Sequence, residues 1–300
     1  MKNVHITIGI PAYNEGRNIQ RLLKSLEKQY LWGIVLDAII VVSDGSTDDT
    51  VQQIRLVKNT KIKYIHHSKR QGINSTLNEL FTLSRSSILI LLNADVDIAN
   101  KAFLHKLIYP FRTIPNLGIV GANVLPLRPN KYFEKILAIS HMLKKHIYDH
   151  TNHGHNIYNC HGRGRAISKT LYSQIIIPED VPEDAYIYLS CLSLEYSFHY
   201  QPEAIVKFRS PQNFLDHVKQ SVRFSQGKTS LYHYFDANII EQEYNIASLQ
   251  FIKSTIIYIL KNPIEILGYI IIQSFIQLKY KHIIINQTLF DPSNSSKGLV

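Results

Sequence analysis

Apolar runs alternate with amphipathic stretches through the first third of the chain. Residues 4–10 form a compact apolar run closed by Pro11, the pattern of a buried parallel strand. Ile19, Leu22, Leu23 and Leu26 then recur on one helical face. Glu15 near its start and Lys24 and Lys28 towards its end suit the helix dipole. Residues 38–42 read as a second strand, closed by Ser43-Asp44-Gly45-Ser46. Thr47 or Asp48 then caps a helix carrying Val51 and Ile54. A third strand at 62–65, a helix at 73–83 and a fourth strand at 88–92 complete the series. Strands alternating with helices predict an α/β fold, with a mostly parallel sheet covered by helices on both faces.

Beyond residue 103 the pattern is less regular, with a strand at 117–124 and helices at 132–148 and 211–227. Residues 249–285 change character: Ile and Leu dominate 256–260 and 264–278, interrupted by Lys261-Asn262-Pro263 and Glu265. A membrane-spanning helix needs about 20 mostly apolar residues. The best window is shorter and contains Glu265, Gln273 and Gln277, so it predicts an interfacial helix or a packed pair rather than a span. The tail after Asp291 reads as loose.

Apolar residues at 45% and charged residues at 19% allow a sizeable core and exclude global disorder. The net charge of +10 favours anionic partners: a nucleoside diphosphate, a phospholipid surface or a lipid phosphate. Nucleic acid is disfavoured, because the basic residues are scattered and no nucleic-acid motif appears. Cys160 and Cys191 are too few for a disulfide scaffold and fit a reducing compartment. Met1-Lys2-Asn3 runs straight into the first strand, leaving no room for a signal peptide.

In open α/β sheets ligands bind at the carboxyl ends of the strands. Three polar clusters fall there: 11–15 (Pro-Ala-Tyr-Asn-Glu), 44–46 (Asp-Gly-Ser) and 93–97 (Asn-Ala-Asp-Val-Asp). Asp95 and Asp97 have the spacing to hold a divalent cation against a diphosphate, or else Asp97 caps the next helix. Asp44 is either an acceptor for a base or ribose donor group, or a turn residue before Gly45. Tyr13 has a face for stacking on a base or for packing on the loop below. Among Glu179, Asp180, Glu183 and Asp184, one carboxylate suits a general base. All four equally suit a solvated helix start. Gln220 and Arg223 lie one helical turn apart, with Phe224 alongside, and so face a common ligand or solvent. His146 and His150 have helical metal-ligand spacing, but no matching Cys or carboxylate set completes a zinc site.

Together, in order, these motifs over roughly residues 4–230 resemble the family 2 glycosyltransferases: 10–15, 44–48, 93–95, Glu183-Asp184 and 220–224. The resemblance implies a GT-A fold and inverting transfer from a nucleotide sugar, commonly UDP-linked, to a hydroxyl acceptor. Residues 1–230 would be the catalytic domain, with a nucleotide-sugar half to about 125 and an acceptor half from about 126. An apolar helical segment would follow at 231–290 and a flexible tail at 291–300. By position, Pro11, Tyr13 and Glu15 would line the nucleoside pocket, Asp44 would bind the base, and Asn93 would join them on the donor. Asp95 would ligate Mg²⁺ or Mn²⁺, and Asp184 would be the general base. Gln220 and Arg223 would grip the diphosphate, with Glu183 and Phe224 towards a saccharide or lipid-linked acceptor. Two departures stand out. Asn93 replaces the first acid of the family's Asp-x-Asp, so Asp95 acts with water or Asp97 supplies a second carboxylate. Phe224 replaces a tryptophan, keeping the aromatic face but losing the indole donor.

The expectation is therefore a hexosyl or N-acetylhexosaminyl transferase of cell-surface polysaccharide or glycolipid synthesis. It would be cytoplasmic and peripheral on the inner face of the membrane. A non-catalytic nucleotide- or membrane-binding protein of the same fold is the alternative that Asn93 keeps open. A sugar-nucleotidyltransferase would need a Gly-rich basic loop after the first strand, where this chain has Pro-Ala-Tyr-Asn-Glu.

Overall fold

The computed structural model describes residues 3–280 and 294–299. Eight strands form one sheet among them: β1 (Val4–Ala12), β2 (Ile34–Ser43), β3 (Ile62–His66), β4 (Ile88–Leu92), β5 (Val96–Ile98), β6 (Leu117–Pro126), β7 (Gly164–Ser168) and β8 (Ser197–Phe208). Their spatial order is β3-β2-β1-β4-β7-β6-β8-β5. β3, β2, β1 and β4 run parallel, as do β6 and β8, whereas β7 opposes both its neighbours and β5 opposes β8. The sheet is mostly parallel, as the alternating pattern predicts.

The helices are α1 (Ile19–Glu27), α2 (Thr50–Arg55), α3 (Ile73–Leu83), α4 (Phe103–Ile108), α5 (Tyr132–His150), α6 (Lys169–Tyr172), α7 (Glu183–Ser193), α8 (Phe214–Leu231), α9 (Ala237–Tyr244), α10 (Ser248–Lys261) and α11 (Pro263–Tyr280). Side chains alternate across a strand, so each central strand feeds two cores. Ile88, Ile90 and Leu92 of β4 join Leu22, Leu23 and Leu104 on one face. Leu89 and Leu91 join Leu77, Leu80 and Leu189 on the other. Burial on both faces is why β4 is apolar at every position rather than at every second one.

Several boundaries differ from the sequence reading, and β2 begins four residues earlier than expected, at Ile34. β1 continues through Pro11 to Ala12, because its ladder to β4 has already ended at Gly9 and the missing N–H is tolerated there. α2 begins at Thr50, where the Asp48 carboxylate accepts from the Thr50 N–H at 3.0 Å. α8 begins at Phe214 under an Asn213 cap that accepts from the Asp216 N–H at 2.9 Å. β8 escapes a period-two reading because Gln201-Pro202-Glu203 interrupts it. The register with β6 slips there, between Ala122 and Asn123.

α10 and α11 dock on the rest of the protein along one side only. Ile266 packs with Leu143 and Ile147 of α5, and Ile276 with Val218 and Val222 of α8. Their opposite side leaves Phe251, Ile256, Leu260, Ile264, Leu267 and Leu278 exposed. Among the described residues no helix is long and apolar enough to cross a membrane. Part of the expected loose tail, and residues 281–285 of the apolar stretch, lie outside the described residues. Residues 294–299 are not loose: Lys297 and Leu299 are buried against the rest of the protein.

Candidate active site

The carboxyl ends of β1, β2 and β4 surround a cavity of about 170 Å³, lined by Pro11, Tyr13, Glu15, Asp44, Arg70, Asn93, Asp95, Glu183 and Arg223 among others. The structure thus brings together residues from five separate motifs spread over more than two hundred positions. A larger cavity of about 380 Å³ adjoins it, lined by Arg163, Asp184, Gln220, Arg223 and Phe224, with His141 and His161. Arg223 of α8 lines both. Glu183 and Asp184, the first two residues of α7, divide between them: Glu183 lines the smaller and Asp184 the larger.

Glu15 is buried, and its Oε2 accepts from Asn18 Nδ2 at 2.8 Å. Burial, reinforced by the charge of Asp95, pushes its pKa up to about 7, against the opposing pull of Lys297. Glu183 behaves alike: burial and the neighbouring Asp184 raise it to about 7, while Arg165 and Arg223 oppose the shift. Arg165 lies within the core and reaches Glu183 at 3.7 Å. Gly162 leaves room for that carboxylate, since a Cβ there would sit 2.3 Å from Glu183 Oε1.

Asp44 is engaged before any ligand arrives. Its oxygens accept from the N–H groups of Gln71 and Gly72 at 2.7 and 2.8 Å, and from His67 at 3.1 Å. Gly72, at φ 100°, opens α3 in a backbone conformation that suits glycine. His67 also bonds Glu79 at 2.9 Å. Burial works against its charge, yet the bonds to Asp44 and Glu79 outweigh that and raise its pKa. Asp44 therefore ties the β2 end to the start of α3, beside its expected role towards a base.

Tyr13 presents its ring to the cavity with the Arg70 guanidinium 4.0 Å from its centroid. Asp95 and Asp97 part company. Asp95 lines the cavity, while Asp97 sits on β5 opposite Lys207 and 3.8 Å from Arg21. Among the described residues no group of three or more His, Cys, Asp or Glu side chains is arranged around a metal position. His146 and His150 are spoken for locally, by Ser254 Oγ at 2.9 Å and by the His146 carbonyl at 2.8 Å. In the larger cavity burial drives His141 down to about 4 and His161 well below its ordinary value, so both imidazoles are neutral near pH 7.

Arg70, Arg163, Arg165 and Lys297 were not anticipated. Arg70 follows β3, where the strand-end rule applied to 66–70 would have found it. Arg163 and Arg165 lie in 161–165 (His-Gly-Arg-Gly-Arg), which has neither strand nor helix periodicity to place it. Lys297 is almost three hundred positions from its partners, and no local pattern marks it.

The sequence model described as glycosyl transferase family 2 matches residues 7–176. CsbB of Bacillus subtilis (strain 168), provisionally named as a glycosyltransferase, is 36% identical over 99 residues, 32% of this chain. That match spans only 30% of CsbB's own length. Among solved structures, the mannosyltransferase PcManGT from Pyrobaculum calidifontis, in complex with GDP-Man and Mn²⁺, has a TM-score of 0.60 at 14% identity. The match covers 93% of this chain and 82% of that one. Glucosyl-3-phosphoglycerate synthase from Mycobacterium tuberculosis, with Mn²⁺, UDP-Glc and phosphoglyceric acid, has a TM-score of 0.54 at 15% identity, covering 78% and 81%. These likenesses establish the GT-A architecture.

The raised pKa of Glu15 has a consequence for stability. The folded protein keeps that proton up to about pH 7, whereas the unfolded chain releases it near its ordinary value of 4.5. Between those values the folded state binds the extra proton, so Glu15 makes the protein progressively less stable as pH rises. Glu15→Gln removes that dependence. Urea unfolding should show the variant gaining on the wild type from pH 4.5 to 7.5, and a constant difference across that range would contradict the assignment.

Proposed function

The chain belongs to glycosyl transferase family 2, and on that premise we propose that it transfers a sugar from a nucleoside-diphosphate donor to a hydroxyl acceptor, with inversion. The observation that carries the reading is the pair of adjoining cavities with Arg223 as their common wall and Glu183-Asp184 between them. In this reading Pro11, Tyr13, Glu15 and Asp44 frame the nucleoside, with Asn93 beside them. The smaller cavity takes the donor and the larger takes the acceptor. Asp184 accepts the acceptor hydroxyl proton as that oxygen bonds to the anomeric carbon and the sugar–phosphate bond breaks, its electron pair leaving with the diphosphate. Arg223, the wall common to both cavities, holds the departing negative charge, whereas Gln220, one turn away on α8, lines only the acceptor cavity and not the donor one. Phe224 offers a face to the sugar ring.

A divalent cation fits the donor cavity. Asp95 lines it, and the Glu15 carboxyl stands near enough for the Asp95 charge to add to the effect of burial on its pKa, so two acidic groups border the space that a cation would enter. One carboxylate with water and diphosphate oxygens is a set that Mg²⁺ or Mn²⁺ accepts. Such an ion would neutralise the diphosphate as it leaves. Asp97 lies outside the lining of that cavity and 3.8 Å from Arg21, so in this reading the cation falls to Asp95. The relatives carry both UDP- and GDP-linked donors, so UDP is the first donor to test and GDP the second.

A second placement rests on the exposed side of α10 and α11. Their one acid, Glu265, is neutralised by Lys135 at 2.6 Å, while Lys253, Lys261 and Lys279 remain on the two helices. An apolar face bordered by cations suits the headgroup region of an anionic bilayer. We infer a peripheral position on the inner, cytoplasmic face of the membrane, which gives a lipid-linked acceptor ready access.

Three measurements test these readings. UDP binding by calorimetry should need Mn²⁺ or Mg²⁺ and should vanish in Asp95→Asn, with GDP run in parallel. Donor hydrolysis in the same buffer separates a transferase from a nucleotide-binding module. Equal affinities with the metal and with EDTA would contradict the metal assignment. On the membrane side, the full chain should sediment with phosphatidylglycerol vesicles and not with phosphatidylcholine ones. High salt should release it, and an Ile256→Glu, Ile270→Glu double variant should lose binding. Indifference to both vesicles would remove the membrane reading.

A further inference from the structure

The loop that follows β1 has an unusual backbone demand. Asn14 takes a left-handed conformation, φ 53°, which is uncommon for a residue with a side chain. Its surroundings hold that turn from two directions. The N–H groups of residues 14–16 are bound by the loop after β2 and the first residue of α2: Asn14 to Ser46 Oγ at 3.0 Å, Glu15 to Thr50 Oγ1 at 2.8 Å, Gly16 to Asp48 at 3.0 Å. The oxygens are bound from the other end of the chain. Lys297 Nζ donates to the carbonyl of Tyr13 and to that of Asn14 at 2.9 Å, and it reaches Glu15 Oε1 at 3.1 Å. An ammonium has three protons, and here three oxygens take them. Its charge also lies 5.6 Å from the centroid of the Tyr13 ring.

Lys297 is itself fixed. Ser295 accepts from the Gln212 N–H at 3.0 Å and donates its own N–H to Asp216 at 2.9 Å, at the start of α8. Leu299 is buried, and its carbonyl accepts from Arg209 at 3.5 Å. Arg209 is in turn paired inside the protein with Glu134 of α5 at 2.8 Å. The segment 294–299 thus ties the loop after β1 to α8, the helix that carries Gln220 and Arg223.

We propose that Lys297 is a positioning residue for the donor: its ammonium holds the Tyr13 and Asn14 carbonyls and the Glu15 carboxylate in the nucleotide-binding shape of the 13–15 turn. Lys297 reaches these oxygens without joining Tyr13, Glu15 and Asp95 in the cavity lining, so it braces the loop rather than filling the pocket. This rests on the donor reading of the smaller cavity.

The test uses the full chain with Lys297→Met, which keeps the length of the stem and removes the charge, and with Lys297→Arg. Hydrogen–deuterium exchange is read at the amides of residues 13–17 without nucleotide, and UDP and GDP affinity is read with Mn²⁺. Lys297→Met should speed exchange at those amides and weaken the nucleotide by about tenfold, the scale of one charged hydrogen bond. Its exchange in the β4 and β6 strands should stay as in the wild type. Lys297→Arg should recover part of both losses. Unchanged exchange at 13–17, or equal nucleotide affinity in Lys297→Met and wild type, would overturn the proposal. Wild-type protein that binds neither UDP nor GDP would instead sink the donor reading, while the exchange data would still decide whether Lys297 holds the loop.

Discussion

Two buried glutamates, Glu15 and Glu183, stand beside two aspartates, Asp95 and Asp184, at the ends of a parallel sheet. Burial and the neighbouring aspartate both work against the ionised form of each glutamate, and the rest of the site is arranged around that fact. Lys297 meets Glu15, Arg165 meets Glu183, and Arg223 lies in the field of both Glu183 and Asp184. Each cation arrives from a distant part of the chain: the tail, β7 and α8. A cavity held open by opposed charges is preorganised for a ligand that carries its own negative charge together with a cation.

The sheet topology explains why these groups converge. β1, β2 and β4 are parallel, so their carboxyl ends deliver residues 11–15, 44–46 and 93–95 to one rim. The antiparallel β7 then carries the 161–165 segment towards the same rim, beside Asn93. α7 presents Glu183-Asp184 at its first turn, and α8 crosses behind them with Arg223. α10 and α11 lean on α5 and α8, both of which line the larger cavity. The exposed apolar residues of α10 and α11 lie on the side turned away from those two helices.

The amino-acid pattern made the first half of the fold legible because parallel strands buried on both faces are apolar throughout. The helix at 73–83 and the strand at 88–92 coincide with α3 and β4. β7 and β8 stayed hidden: one is a five-residue strand of mostly small residues around Arg165, the other is broken by Pro202. Of the residues that line the two cavities, Pro11, Tyr13, Glu15, Asp44, Asn93, Asp95 and Asp184 were legible at strand and helix ends, and Gln220 and Arg223 as a pair one turn apart within a helix. The burial that shifts Glu15 and Glu183 was not, because it depends on elements remote in sequence. Asp97 had the spacing either to join Asp95 at a cation or to cap the next helix, but β5 pairs it across from Lys207 and sets it near Arg21.

The central claim is that Asp184 serves the acceptor side and not the donor side, since it lines only the larger of the two cavities. The most direct measurement compares Asp184→Asn with the wild type in two assays, nucleotide affinity with Mn²⁺ and sugar transfer to an acceptor. Affinity should stay within about twofold, while turnover should fall by about 100-fold or more, the usual loss when a general base is removed. Near-full turnover in Asp184→Asn, or a collapse of nucleotide affinity in step with turnover, would contradict the account.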